Sequence, residues 1–396
     1  MRHKIEFIKN EVGGLTMTND TARRFMNENL LSKRYKYAQD YVPCQLTESQ
    51  LAARKQFLSE VHKTKNYVFI TECPYCANKS FTKISEVDGR GLPSEVVICD
   101  ACSGCFKSTI LDERASGYHY ENISYSLRGK DLSQDNIERL FFKRVRKFAY
   151  ERYYFISFFT KLNKEKDLIV EYGCNDGANL FPWLKNGFNV LGIDIDPRMI
   201  EFGRRKGLNL VRGDFMDYGL LNKRPKLIIL SHVLEHINDV NGFLNKLVEI
   251  IDPDGYIFIE TPGIKTHGLV DSLSYFDVEH NYNFDRASLE KILKRDQFKI
   301  IYADEYIRFL CTPSRSQGIC NNTKTFSIEK IISRLLKIII NIFNYKDKTL
   351  LFLLQKGARN NLDIRILNKL ISLYYKNYYR SIIKSGERHG SDKISK

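Results

Sequence analysis

The chain has 396 residues, room for two or three domains at roughly 150 residues each, and 43% of it is hydrophobic, which excludes intrinsic disorder as its main state. Its net charge of +15 should attract anions such as phosphates, nucleotide sugars, nucleic acid or acidic lipid, and charge alone does not choose among them. No apolar run approaches the roughly 18 to 20 residues that span a bilayer, and the first thirty residues lack the apolar stretch of a secretory signal. Cytosolic synthesis and function are therefore expected, a setting where disulfides are rare, so the nine cysteines ask for another explanation.

Residues 1–66 read as a polar helical segment, with Thr47 and Gln50 forming a capping box for a helix through Glu60. Residues 67–133 alternate short strands with cysteine pairs. Tyr67 to Ile70 runs into Cys73-x2-Cys76, and Glu95 to Ile98 runs into Cys99-x2-Cys102, with 22 residues between the pairs. Two such knuckles present four thiolates tetrahedrally at about 2.3 Å from a zinc ion, and a set with no open position is structural rather than catalytic. Cys105 could replace Cys99, but the strand feeding Cys99 favours the first choice. Cys44, Cys174, Cys311 and Cys320 read as ordinary thiols.

A basic aromatic helix is expected from Gln134 to Leu162. Beyond it, apolar strands alternate with helical stretches, the pattern of a parallel sheet with crossover helices. The strands are Leu168–Glu171, Val190–Asp194, Asn209–Arg212, Lys226–Leu230, Tyr256–Glu260, Phe298–Tyr306 and Leu350–Leu354, seven in one doubly wound α/β sheet spanning residues 134–357. A helical insertion, 312–347, precedes the last strand, and a basic helical tail, 358–396, follows it. Residues 325–396 carry 15 basic and 5 acidic side chains, so most of the charge excess is local. The amphipathic run Ile331–Phe343 is expected to pack on the sheet, with docking on the inner face of an anionic membrane as the alternative.

The first strand ends in Glu171-Tyr-Gly173-Cys-Asn175-Asp-Gly177, a tight turn opening toward a helix, where backbone can approach a ligand closely. A dinucleotide fingerprint would need glycines where Asn175 and Ala178 stand, which disfavours NAD or FAD. The second strand ends in Asp194, placed to take the hydroxyls of a ribose, while Asp196 is better placed to cap the helix that starts at Pro197. Asp214 and Phe215 close the third strand, and Ser231-His-Val-Leu-Glu-His236 closes the fourth.

In this order these features resemble the class I S-adenosylmethionine-dependent methyltransferases, over about residues 165–310. The resemblance implies a Rossmann-like methyltransferase sheet, with Glu171 near the methionine amino group and Gly173, Asn175 and Gly177 lining the methionine moiety. It further implies Asp194 on the ribose, Asp214 and Phe215 at the adenine, and Ser231 to His236 under the sulfonium. A narrower resemblance, to the zinc-binding sugar C-methyltransferases of deoxysugar and surface-polysaccharide pathways, lies in Gly173-Cys-Asn-Asp-Gly177, in Glu279-His280 before an aromatic segment, and in the N-terminal cysteine lobe. It implies a carbohydrate acceptor, either a nucleotide sugar or a lipid-linked glycan, methylated on carbon or oxygen. His280 is the candidate base, with Glu279 positioning it or the substrate and His236 nearby, because such a proton transfer needs a group that titrates near neutrality. Where the family has a tyrosine three residues before that histidine this chain has Asp277, with Tyr275 and Tyr282 close enough to substitute. A nucleic-acid methyltransferase is the alternative reading of the charge. It is disfavoured because the fourth strand ends in Ser231 to His236 rather than in the Asn/Asp-Pro-Pro-aromatic motif of base-modifying enzymes.

Overall fold

The computed structural model describes residues 26–28, 30–64, 66–213, 221, 223–264 and 272–314. These all belong to one compact unit. The runs Ile331–Phe343 and Leu350–Leu354, the tail 358–396, Cys320, Asp214 and Phe215 lie outside the described residues.

The N-terminal part opens with the strand β1 (Met26–Glu28) where helix was expected. Thr47 then caps helix α1 (Glu48–Gln56), and the box closes both ways: the Thr47 hydroxyl accepts from the Gln50 amide N–H, and the Gln50 side chain accepts from that of Thr47. Strands β2 (Tyr67–Phe69), β3 (Phe81–Val87), β4 (Pro93–Cys99), β5 (Cys105–Lys107) and β6 (Thr109–Leu111) follow. The turn between β4 and β5 passes directly over the ring of Tyr75. A Cβ on Gly104 would fall 2.1 Å from that ring, so no side chain fits there.

Helices α2 (Glu113–Asn122) and α3 (Ser124–Leu127) lead into α4 (Gln134–Arg144) and α5 (Tyr150–Phe159). The last two are joined through a wider helical turn at Val145–Ala149 and so follow the expected basic aromatic helix almost to its end. Then come β7 (Leu168–Tyr172), α6 (Phe181–Lys185), β8 (Asn189–Asp194), α7 (Pro197–Arg205), β9 (Leu210–Arg212), β10 (Leu227–Ser231), α8 (Val240–Ile250) and β11 (Tyr256–Glu260). The chain ends its described course in β12 (Tyr282–Asn283), α9 (Arg286–Arg295), β13 (Phe298–Ala303) and β14 (Arg308–Pro313).

Seven strands form one sheet in the order β13-β14-β11-β10-β7-β8-β9, all running the same way except β14, which is antiparallel to both of its neighbours. Its strands from β7 to β11 are nearly continuous apolar runs, as expected of a sheet covered on both faces. All seven strands of this sheet lie before residue 314, two of them in and just after the region read as the sixth strand. The segment read as one strand, Phe298–Tyr306, turns back at Asp304, whose carboxylate accepts the backbone N–H groups of Tyr306 and Arg308, and β14 returns beside β11. The expected insertion at 312 therefore begins inside a strand.

Order reverses between β7 and β10, which lie side by side, so the crevice outside their carboxyl ends is the switch point where open α/β sheets bind ligands. A second sheet, β1-β3-β4-β5-β12, carries the cysteine knuckles and borrows β12 from far along the chain. The two sheets share a core: Tyr75, Phe81, Val97 and Phe106 of the knuckle region pack in one cluster with Tyr172, Ile228, Phe284 and Phe309. The boundary at 133 thus marks a change of architecture without a break in the core. Among the described residues no helix is long and apolar enough to cross a membrane.

Candidate active site and thiol centre

At the end of β7 the chain turns through Gly173 (φ 63°), Asn175 (φ 52°) and Gly177 (φ 76°), left-handed positions that glycine takes freely and asparagine tolerates. Gly177 also lacks room for a side chain, since a Cβ would meet Leu208 at 2.7 Å. Asp194 holds this turn: its Oδ2 accepts the Asn175 backbone N–H at 2.7 Å and its Oδ1 that of Asp196 at 2.9 Å. Asp196 caps α7 through the Arg198 N–H, the role preferred for it over ribose binding.

Glu171, buried beside the turn, accepts from the Asn179 amide at 2.7 Å through Oε1, while Oε2 has no hydrogen-bond partner among the described residues. Burial pushes its carboxyl up to about 8. Arg152, the nearest cation, is held in a fork by Glu260 at 2.7 and 2.8 Å. An orphaned buried carboxylate oxygen needs a cation or a donor, so the pocket fits the ammonium end of S-adenosylmethionine. Ser231 stands half-buried at the end of the adjacent β10. The sequence reading missed Tyr125, whose hydroxyl accepts from the Asn175 side chain at 3.0 Å and whose ring lies under Arg198. It also missed Asn179 and Arg152. Tyr125 and Arg152 carry no local signal because they come from helices that only the fold brings to the turn, whereas Asn179 sits in the turn itself, two residues after Gly177.

Beyond β10 the structure gathers Glu235, His236 and His280, with the imidazole rings 5.0 Å apart. Glu235 is 1% exposed. Burial opposes its charge most strongly, but the surrounding histidines, His232 at 3.4 Å first among them, together keep the carboxyl at about 2. Burial pushes His236 down to about 3 and also lowers His280, so both rings are neutral at pH 7.

Glu279, expected beside them, faces the other way. It is buried, takes His119 Nε2 at 2.8 Å and is ion-paired with Arg128. Its backbone carbonyl accepts from His236 Nδ1 at 2.8 Å. Asp277 pairs with Arg90 at 2.9 Å. Of the two tyrosines, Tyr275 packs its ring edge-on to His280 at 6.3 Å while its hydroxyl donates to the Pro262 carbonyl, and the Tyr282 hydroxyl donates to the Asn238 carbonyl. Tyr120 also lies next to the histidines, its hydroxyl 2.9 Å from His236 Nδ1.

The sulfurs of Cys73, Cys76, Cys99 and Cys102 lie within 4.8 Å of one another, with Cys73–Cys102 and Cys76–Cys99 both at 3.6 Å. A tetrahedral zinc–thiolate set would put sulfurs about 3.8 Å apart, so the donor set fits that ion. Cys105 packs in a separate cluster with Ile84, Val96 and Phe276, which settles the choice in favour of Cys99.

Residues 142–303 match the family described as "Methyltransferase domain". The chain is 24% identical to the C-methyltransferase NovU of Streptomyces niveus over 162 residues, 39% of this chain and 33% of that protein. It is 30% identical to the ubiquinone biosynthesis O-methyltransferase of Chelativorans sp. (strain BNC1) over 101 residues, 24% of this chain and 39% of that one. It therefore spans between a third and two fifths of the length of these curated relatives. A SAM-dependent methyltransferase from Archaeoglobus fulgidus is similar at 25% identity and a TM-score of 0.33, covering 39% of this chain and 71% of that one. The matched residues 142–303 take in most of the Rossmann-like sheet and the glycine turn at its switch point, so the methyltransferase likeness falls on the part of the chain that forms this site.

Proposed function

We propose that the protein transfers the methyl group of S-adenosylmethionine to a carbohydrate acceptor, on carbon or oxygen, with a structural zinc held by Cys73, Cys76, Cys99 and Cys102. The observation that carries the reading is the Glu235–His236–His280 group beside the glycine turn, at the carboxyl ends of neighbouring strands. Methyl transfer is an in-line displacement, so the protein has to align donor and acceptor and draw off one proton from the acceptor. In this reading Glu171 receives the ammonium of the cofactor, Asp194 shapes the turn and meets the ribose, and the Glu235–His236–His280 group faces the acceptor. Support for a sugar comes from the order of cysteine lobe, Gly-Cys-Asn-Asp-Gly turn and Glu279-His280 pair. Purified protein given methyl-labelled S-adenosylmethionine and fractionated source-cell lysate should label a nucleotide-sugar or lipid-linked glycan pool. Label confined to nuclease-sensitive material would replace the acceptor class with RNA or DNA.

Asp194→Ala should weaken S-adenosylhomocysteine binding by about 10- to 100-fold, since it removes charged hydrogen bonds worth roughly 1.5–3 kcal/mol and leaves the Asn175 and Asp196 N–H groups unpaired. Calorimetry checks this, with Asp194→Asn retaining one backbone acceptor and an intermediate affinity. Unchanged affinity in both variants removes Asp194 from the site.

A further inference from the structure

The end of β10 carries more order than an acid–base pair requires. Glu235 is sealed from solvent; His232 at the rim reaches Oε1 only at 3.4 Å, and among the described residues neither carboxylate oxygen has a well-formed hydrogen bond. A buried carboxylate left this way costs several kcal/mol unless something positive sits against it. His236 shows what that is. Its Nδ1 lies 2.8 Å from the Glu279 carbonyl oxygen, which can only accept, so Nδ1 carries the proton. Nε2 therefore presents a lone pair, 3.8 Å from Glu235 Oε1. A lone pair and an anionic oxygen facing each other across that gap repel, and a cation placed between them turns repulsion into coordination. His280 brings a further ring nitrogen, so one donor atom from each of the three side chains lies within 4.8 Å of the others. The hydrogen bond from the far nitrogen of His236 to a backbone carbonyl is the backing that metal-ligating histidines have.

We propose that Glu235, His236 and His280 form a divalent-cation site separate from the four thiols. Two imidazoles and one carboxylate suit a first-row ion such as Mn²⁺, Fe²⁺ or Zn²⁺, and three protein ligands leave positions open for acceptor oxygens. The site deepens the proposed function and in its catalytic part rests on that reading. An acceptor hydroxyl, or the carbonyl next to the reacting carbon, binds the ion, which lowers the pKa of the proton to be lost. That proton leaves to solvent. The freed electron pair forms the bond to the methyl carbon as the carbon–sulfur bond breaks, its electrons staying on the sulfur of neutral S-adenosylhomocysteine. His232, at the exposed rim 3.4 Å from the same carboxylate oxygen, stands on the solvent side of this path.

The test uses the full chain with its thiol centre metallated and Mn²⁺ as probe, because thiolates select against that ion. Free Mn²⁺ followed by electron paramagnetic resonance should show one ion bound per chain. Glu235→Gln and His280→Ala should each weaken it by about 100-fold or more, and Tyr120→Phe, which touches only the backing of His236, by about 10-fold. Both ligand variants must keep the circular dichroism and S-adenosylhomocysteine binding of the parent, and His280, half-buried, serves if Glu235→Gln does not fold. Methyl transfer should fall on mild stripping and return with Mn²⁺. No binding at millimolar Mn²⁺, binding unchanged in both variants, or full transfer by stripped protein overturns the site and leaves the methyltransferase reading intact. Mn²⁺ bound as described with no carbohydrate labelled under any condition upholds the site and overturns the acceptor class.

Discussion

Cys99→Ser, or removal of the ion from the four thiolates by a strong chelator, is expected to lower methyl transfer by about 100-fold or more while S-adenosylhomocysteine affinity stays within about tenfold. The asymmetry follows from what the knuckle sheet supports. Strand β5, next to Cys99 in the ladder, pairs with β12, and the Lys107 backbone N–H donates to the Asn281 carbonyl at 2.9 Å. The Lys107 ammonium, buried and pushed down to about 8 by that burial, donates to the Val278 carbonyl. Arg90 holds Asp277, and Ser94 donates to the Phe276 carbonyl. Every one of these bonds fixes the loop that carries Glu279 and His280, and the Asn281 N–H passes the constraint to the Glu235 carbonyl at 2.7 Å. The glycine turn and Asp194, by contrast, belong to the large sheet. A zinc-bound knuckle draws much of its folding energy from the ion, and a shift of about 1 Å at reacting groups costs on the order of 100-fold in rate. Parallel titration of the two properties decides it: equal losses in both would mean global unfolding, and full activity after metal removal would mean that the lobe does not position the loop.

How far such a site can be read from sequence depends on how local its causes are. Leu168 to Val170 and Ile228 to Leu230 show as strands because a strand covered on both faces must be apolar at every position. Gly173 and Gly177 mark their turn because few other residues take its left-handed backbone, and the cysteine spacing is local by nature. The misreadings share a different cause. Phe298 to Tyr306 looked like one strand because the hairpin at Asp304 is built by a carboxylate accepting backbone N–H groups, with no glycine or proline to announce it. Glu279 and His280 looked like one catalytic pair because they are adjacent, yet they sit on a turn closed by the His280 N–H on the Asp277 carbonyl, and their side chains leave it in different directions. Glu279 points to His119 and Arg128, both more than 150 residues earlier in the chain. Shorter but still non-local separations hid Glu235 as the partner of His280, and Tyr125 as a neighbour of Asn175.

S-adenosylhomocysteine should bind more tightly as pH rises from 6 to 8, by up to about tenfold per unit, and Glu171→Gln should abolish that slope while weakening binding at pH 8 by about 10- to 100-fold. The sign follows from the free protein. Burial raises the Glu171 carboxyl to about 8, so at pH 7 it is mostly protonated, and Arg152 does little to prevent this because Glu260 already holds its guanidinium. An arriving ammonium pairs with the open Oε2 and favours the ionised form, so binding must expel a proton. Expelling it is harder at lower pH, and the slope fades above about 8, where the carboxyl is ionised beforehand. Calorimetry at pH 7 in buffers of different ionisation enthalpy should therefore register close to one proton released per ligand bound. Asn179→Ala offers a separate check, because losing the donor at Oε1 raises the carboxyl further and moves the upper end of the slope to higher pH. An affinity flat from pH 6 to 8 with no proton release, or the same slope in Glu171→Gln, would place the ammonium elsewhere and assign the burial of Glu171 to the packing of β7 alone.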